Sequence, residues 1–165
     1  MFAKIIINIT SYIKDKRFLA VMSSVFLSYR FTGENKSRLE RVLGSIRGAL
    51  ESAGNDVFCT FWMEEFFKKQ GFSADDIYNY ALQEMKNNDL FLLFIKSSHP
   101  SKGMMLESQR AVDLGMRYVI TIRNSIPIPE YARDLKKEVI RYESFKALEQ
   151  KLKGYDWKRS AGAKA

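Results

Sequence analysis

The chain is nearly without cysteine and histidine: its 165 residues include one of each, Cys59 and His99. One cysteine excludes an intramolecular disulfide framework and a thiolate zinc cluster. One histidine excludes a His-rich metal site, and any Ser-His or Cys-His catalytic pair would have to use His99. Neither glycine-rich nucleotide fingerprint is present, GxGxxG or GxxxxGK followed by Ser or Thr. Long apolar runs are missing too. Ile5-Ile6-Ile7 and residues 90–95 fall far short of the roughly 20 residues a membrane helix needs. The N-terminus has no long apolar stretch followed by a small-residue cleavage site, so no signal peptide is expected and a cytoplasmic protein is.

Basic charge is plentiful, with a formal net charge of +8, but its distribution argues against a nucleic-acid groove. Residues 1–21 hold Lys4, Lys14, Lys16 and Arg17 against Asp15. Residues 151–165 hold Lys151, Lys153, Lys158, Arg159 and Lys164 against Asp156. Seven of the eight net charges therefore lie at the two ends. A surface that tracks phosphates needs its charge clustered on the folded face.

At 46% hydrophobic and 13% aromatic, the chain has enough apolar surface for a core, and its length suits one domain. The expected organisation is an N-terminal extension over 1–21, a single domain over 22–153 and a flexible basic tail over 154–165. Within the domain, strand-like runs alternate with helical spacing. Val25, Phe26, Leu27, Ser28 and Tyr29 form a first strand, followed by a loop through Gly33. Leu39, Leu43, Ile46 and Leu50 mark one helix face, and Gly54 is a natural stop. Residues 57–62 read as a second strand and 61–72 as a loop. Ser73 with Asp76 is a capping-box-like start to a helix carrying Ile77, Ala81 and Met85. Residues 90–95 are apolar at every position, as in a parallel strand covered on both faces. A loop over 96–103 leads into a helix that ends at Gly115. Residues 118–122 and 138–142 read as the fourth and fifth strands, with a short helix over 131–137 between them. Ser144 caps a last helix running to about 153. The architecture expected is an open three-layer α/β sandwich around a parallel five-stranded sheet, flavodoxin- or Rossmann-like. In such sheets ligands sit beyond the carboxyl ends of the strands.

The most informative stretch is 96–107. It follows a buried strand and opens a helix, whose first N–H groups are unpaired and carry the positive end of the dipole. Ser101 and Gly103 lie there and suit a phosphate. Glu107 sits about one turn further on, where a carboxylate could attack an anomeric carbon. Serine, glycine and proline also make ordinary loops, and an early-turn glutamate favours the dipole by itself.

Pro100-Ser101-Lys102-Gly103, then Glu107, then Arg110-Ala111-Val112 resembles the active-site loop and helix of the 2'-deoxynucleoside 5'-phosphate N-hydrolases, in the nucleoside 2-deoxyribosyltransferase superfamily. Asn88-Asp89 before the apolar strand and Gly115 before Tyr118-Val119-Ile120 are similar too. The resemblance implies Glu107 as nucleophile, Ser101 and Gly103 as phosphate contacts, a nucleotide or nucleoside substrate and a homodimer. It implies no metal or redox cofactor. Two positions depart from it. Phe26 stands where the family commonly has tyrosine, with Tyr29 expected on the opposite strand face. Ala81 stands where it has an aspartate near the base, for which Glu64, Glu65 and Asp76 are possible substitutes. Val25-Phe26-Leu27-Ser28-Tyr29-Arg30 also resembles the opening strand of Toll/interleukin-1 receptor domains, some of which cleave NAD and others of which are scaffolds. The expected substrate-binding set around Glu107 is Ser28, Arg30, Gly33, Trp62, Ser101, Lys102 and Gly103, with aromatics of 61–67 flanking a base. Arg30 and Lys102 would neutralise phosphate. Cys59 is expected in the core.

Overall fold

A computed structural model describes residues 23–99 and 101–158. The extension expected over 1–21 and the end of the basic tail lie outside these residues. Five strands form one parallel sheet: β1 (Ser24–Ser28), β2 (Asp56–Phe58), β3 (Leu90–Ile95), β4 (Arg117–Arg123) and β5 (Glu138–Tyr142), in the order β2-β1-β3-β4-β5. Strand order reverses beside β1, which connects to the edge at β2 before the chain returns to β3. That reversal leaves a crevice at the carboxyl ends of β1 and β3.

The side chains of β3 decide the layering. All six are buried. Leu90, Leu92 and Phe94 face one side with Val25 and Leu27, and Phe91, Leu93 and Ile95 face the other with Phe26. The first side packs against α1 (Lys36–Ser52) through Leu39, Leu43, Ile46 and Leu50, and against α6 (Phe145–Gly154) through Leu148 and Leu152. The second packs against α3 (Ala74–Glu84), α4 (Lys102–Asp113) and α5 (Glu130–Arg133). Period-2 strand faces meeting period-3.6 helix stripes give the three layers.

Helix boundaries follow local chemistry. The Asn35 side chain accepts from the Arg38 amide at 2.9 Å to open α1. Ser73 and Asp76 form the reciprocal capping box of α3, each side chain accepting from the other's backbone N–H. No helix among the described residues is long and apolar enough to cross a membrane.

Three expectations need correction. The second strand leaves the ladder after Phe58, and residues Thr60–Met63 turn into a 3-10 helix. Val57, Cys59 and Phe61 do alternate into the α1-side core, so the sequence mimics a longer strand. The backbone instead turns, keeping Phe61 buried while carrying Thr60 toward the crevice. The stretch read as loop then holds a helix, α2 (Glu64–Gln70). Glu64 and Glu65 in its first turn, Lys68 and Lys69 in its last, and the Glu64–Lys68 pair at 2.8 Å are its sequence signal. Finally, packing continues past 153. Trp157 is buried and donates its indole N–H to the Leu152 carbonyl at 2.8 Å. The buried Arg117 side chain needs acceptors, and it donates to the carbonyls of Asp156 and Trp157 and pairs with Glu138 at 2.8 Å.

Candidate active site

A cavity of about 460 Å³ opens at the reversal point. The segment after β1 supplies Tyr29, Phe31 and Thr32 to its walls, and the 3-10 turn supplies Thr60 and Phe61. Helix α2 and its end contribute Glu64, Phe67, Lys68 and Phe72. Helix α3 contributes Ala74, Ile77, Tyr78 and Ala81. Helix α4 closes the floor with Ser101, Gly103 and Glu107.

Glu107 lies on the buried stripe of α4, in register with Met104, Ser108 and Ala111. A carboxyl on an apolar stripe is costly to ionise, and burial pushes its pKa up from the usual 4.5 to about 7. One hydroxyl tempers that shift: Ser28, on the last residue of β1, donates its Oγ–H to Glu107 Oε2. Ser28 is itself buried, so it holds the carboxylate from behind rather than lining the cavity. Ser28→Ala is expected to raise the Glu107 titration midpoint by about one unit or more, since a hydrogen bond to a charged group contributes about 1.5–3 kcal/mol. Carbon NMR of labelled glutamate carboxyls checks this, and an unchanged midpoint would mean that Ser28 does not stabilise the ionised form.

The start of α4 faces the same cavity. Ser101 is its N-cap, yet the Ser101 hydroxyl accepts no amide from the first turn, and that turn holds no acidic side chain. The first N–H groups of the helix are without intrahelical partners. Gly103 has a steric role as well: a Cβ there would lie 3.1 Å from Cε1 of Tyr78.

The remaining expected residues divide. Lys102 holds its ammonium 5.5 Å from the Tyr78 ring centre, beside the cavity. Arg30 does not line the cavity. Its Nε donates to the Thr32 carbonyl at 2.9 Å, and its guanidinium borders a separate crevice of about 10 Å³ with Ser97 and His99. Gly33 turns the chain at φ 78° and packs under Arg30; its place is in shaping the loop that carries Phe31 and Thr32. Trp62 packs toward α1 beneath the Arg47 guanidinium at 4.8 Å. Phe61 and Phe67 reach the cavity from the aromatic stretch.

The substitute carboxylates also separate. Glu64 lines the cavity, but bonds from Lys36 and Lys68 hold its pKa down to about 2. Glu65 is exposed, and Asp76 is used in the capping box. Ala81 is buried and presents a methyl group to the cavity. Phe26 lies in the core under the sheet, stacked with Phe58 and Phe91. Tyr29 packs toward the opposite face, yet β1 has ended at Ser28 and its side chain reaches the cavity. Burial raises the Tyr29 phenol pKa well above its ordinary value, and the charge of Glu107 adds to that. Cys59 is buried among apolar neighbours, which pushes its thiol up to about 12.

Tyr78, Lys68, Thr60 and Phe72 were not singled out from the sequence. Tyr78 had a signal: Ala74, Ile77, Tyr78 and Ala81 are spaced as one helix stripe, so locating Ala81 near a ligand locates the other three. Thr60 and Lys68 had none, because both depend on the turn and helix hidden within 60–70.

No protein-family model matches this chain, and no curated protein matches it. Solved structures do. A CMP N-glycosidase of Clostridium botulinum, BcmB, superposes with a TM-score of 0.54 at 23% identity, over 80% of this chain and 99% of that one. A 2-deoxyribosyltransferase of Bacillus psychrosaccharolyticus superposes with a TM-score of 0.58 at 16% identity, over 82% and 93%. A conserved protein of Enterococcus faecalis V583 gives 0.52 at 12% identity, over 80% and 98%. At these identities the likeness establishes a shared fold, the flavodoxin-like α/β sandwich of the deoxyribosyltransferases.

Proposed function

We propose that this chain cleaves the N-glycosidic bond of a nucleoside or nucleoside 5'-monophosphate, delivering the sugar to water or to a second base. The observation that carries this reading is the placement of Glu107: a buried carboxyl, held from behind by Ser28, with its reactive side toward a cavity whose floor also holds an open helix start. In the first step a Glu107 carboxylate oxygen bonds to C1' of the sugar as the bond to the base nitrogen breaks, and its electron pair leaves with the base. In the second, water or another base attacks C1' and releases Glu107 as carboxylate. A carboxyl that ionises near neutrality is suited to bonding and leaving in turn.

Ser101, Gly103 and the first N–H groups of α4 would hold a 5'-phosphate, with Lys102 adding charge from the rim. Phe61, Phe67, Phe72 and Tyr78 would flank the base. The homodimer implied by the resemblance finds support in the outer face of α4, where Met105, Leu106 and Val112 are exposed. Two of the superposing structures are an N-glycosidase and a deoxyribosyltransferase, which agrees with this chemistry.

The test is chromatographic detection of free base from nucleosides and their 5'-monophosphates, deoxy and ribo, with purine, pyrimidine and pyridine bases. Monophosphates are expected to show KM values lower by about tenfold or more than their nucleosides, the effect of one or more charge-assisted hydrogen bonds. Absence of free base from the whole panel would overturn the reading.

A further inference from the structure

Resting on that reading, we infer that the cavity takes N-glycosides whose leaving ring already carries a positive charge, a pyridinium or an N7-alkylated purinium nucleotide. The juxtaposition behind this is an Ala81 methyl beside two committed carboxyls, Glu107 and Glu64.

Breaking a C1'–N bond returns an electron pair to the base. A neutral purine or pyrimidine becomes an anion unless a proton reaches it as the bond breaks, and a positioned acid contributes about 10²–10⁴-fold to that step. A quaternised ring needs no proton, because the returning pair neutralises its positive charge. The cavity is arranged for the second case. Glu107 is the attacking group and carries no proton to give while it attacks. Glu64 is kept ionised between Lys36 and Lys68. Asp76 is spent on the α3 cap, and Glu65 is exposed. Ala81 lies on the α3 stripe that lines the cavity and presents a methyl group there, so that stripe brings no carboxyl to the cavity.

Among the described residues, the other polar side chains on the walls are hydroxyls and the Lys68 ammonium. Tyr29 is a weaker acid than an ordinary phenol, and Lys68 is a weaker one than an ordinary lysine because Glu64 holds its proton in place. The same walls suit a cation. Phe67 and Phe72 offer aromatic surface to a flat positive ring.

The experiment compares N7-methylguanosine 5'-monophosphate with guanosine 5'-monophosphate, a pair that differs by one methyl and one charge, and adds nicotinamide mononucleotide as the pyridinium arm. Wild-type kcat/KM is expected to be at least about 100-fold higher for the N7-methylated nucleotide than for its neutral parent. The pyridinium and purinium arms tell which ring is the better fit. Ala81→Asp is expected to shrink that ratio by about tenfold or more by supplying the missing proton. Cleavage of the neutral parent within tenfold of the quaternised one would overturn the inference and leave the glycosidase reading standing. So would an Ala81→Asp variant that melts like wild type and keeps the full ratio. If Ala81→Asp does not fold, the wild-type pair decides. No free base from either class would overturn both the inference and the reading beneath it.

Discussion

Glu107→Ala is expected to lower kcat for base release by about 10⁴-fold or more on any accepted substrate. Removing a covalent nucleophile takes away the path through the sugar-enzyme ester, and comparable deletions in other enzymes cost about 10⁴–10⁶-fold. Binding should survive, because the phosphate and base contacts proposed for Ser101, Gly103 and the aromatic walls do not involve the carboxyl. The prediction is thus a large fall in kcat with a small change in the dissociation constant of a nucleotide, measured by calorimetry on the variant. Full activity in Glu107→Ala would remove the glutamate from the mechanism. The pH profile carries a second signature. Only the ionised carboxylate attacks, so kcat/KM of the wild type should rise with pH along an acid limb centred near the Glu107 pKa of about 7.

The same carboxyl should make the folded protein less stable as pH rises, the reverse of the usual behaviour of an acidic side chain. Glu107 has a folded pKa of about 7 against an ordinary 4.5, mainly because burial disfavours its charge. The folded state therefore holds the proton more tightly than the unfolded state does. The stabilisation is fully present below pH 4.5, is lost as pH rises toward 7, and is gone above it. Its size is about 3 kcal/mol, from roughly 2.5 pKa units at 1.36 kcal/mol each. Glu107→Gln removes the titration and keeps the shape. Urea unfolding of both proteins from pH 4 to pH 8 is expected to show the variant gaining about 3 kcal/mol relative to wild type over that range. Comparing the two cancels groups such as Glu64 and Asp76, whose lowered pKa values act in the opposite sense. A constant difference across the range would mean that Glu107 titrates as an ordinary surface glutamate.

Much of the fold was readable because its signals are local. The all-apolar run 90–95 required a strand buried on both faces, and Ser73 with Asp76 announced the start of α3. Where reading failed, two structures shared one pattern. Val57, Cys59 and Phe61 alternate into the core as a strand would, and only the pairing of β1 with β2 shows that the ladder stops at Phe58. The tail was misjudged for a related reason. Residues 154–165 read as a flexible basic tail, while Trp157 is buried, donates its indole N–H to the Leu152 carbonyl, and accepts at its own carbonyl from Arg117, a residue 40 positions earlier.

For the candidate site, the sequence by itself determined that a helix follows the loop after the apolar strand, that Glu107 lies about one turn into it, and that position 81 carries only a methyl group. These follow from spacing along one chain segment, and helix geometry converts spacing into direction. Only the tertiary structure decided what stands opposite. It set Ser28 against Glu107 and Tyr29 in the cavity, locked Glu64 between two lysines, and turned Arg30 and Trp62 away. Each of these depends on where β1 ends and how the 60–70 segment folds back over it. Contacts between residues distant in sequence are fixed by packing, and no period in the chain encodes them.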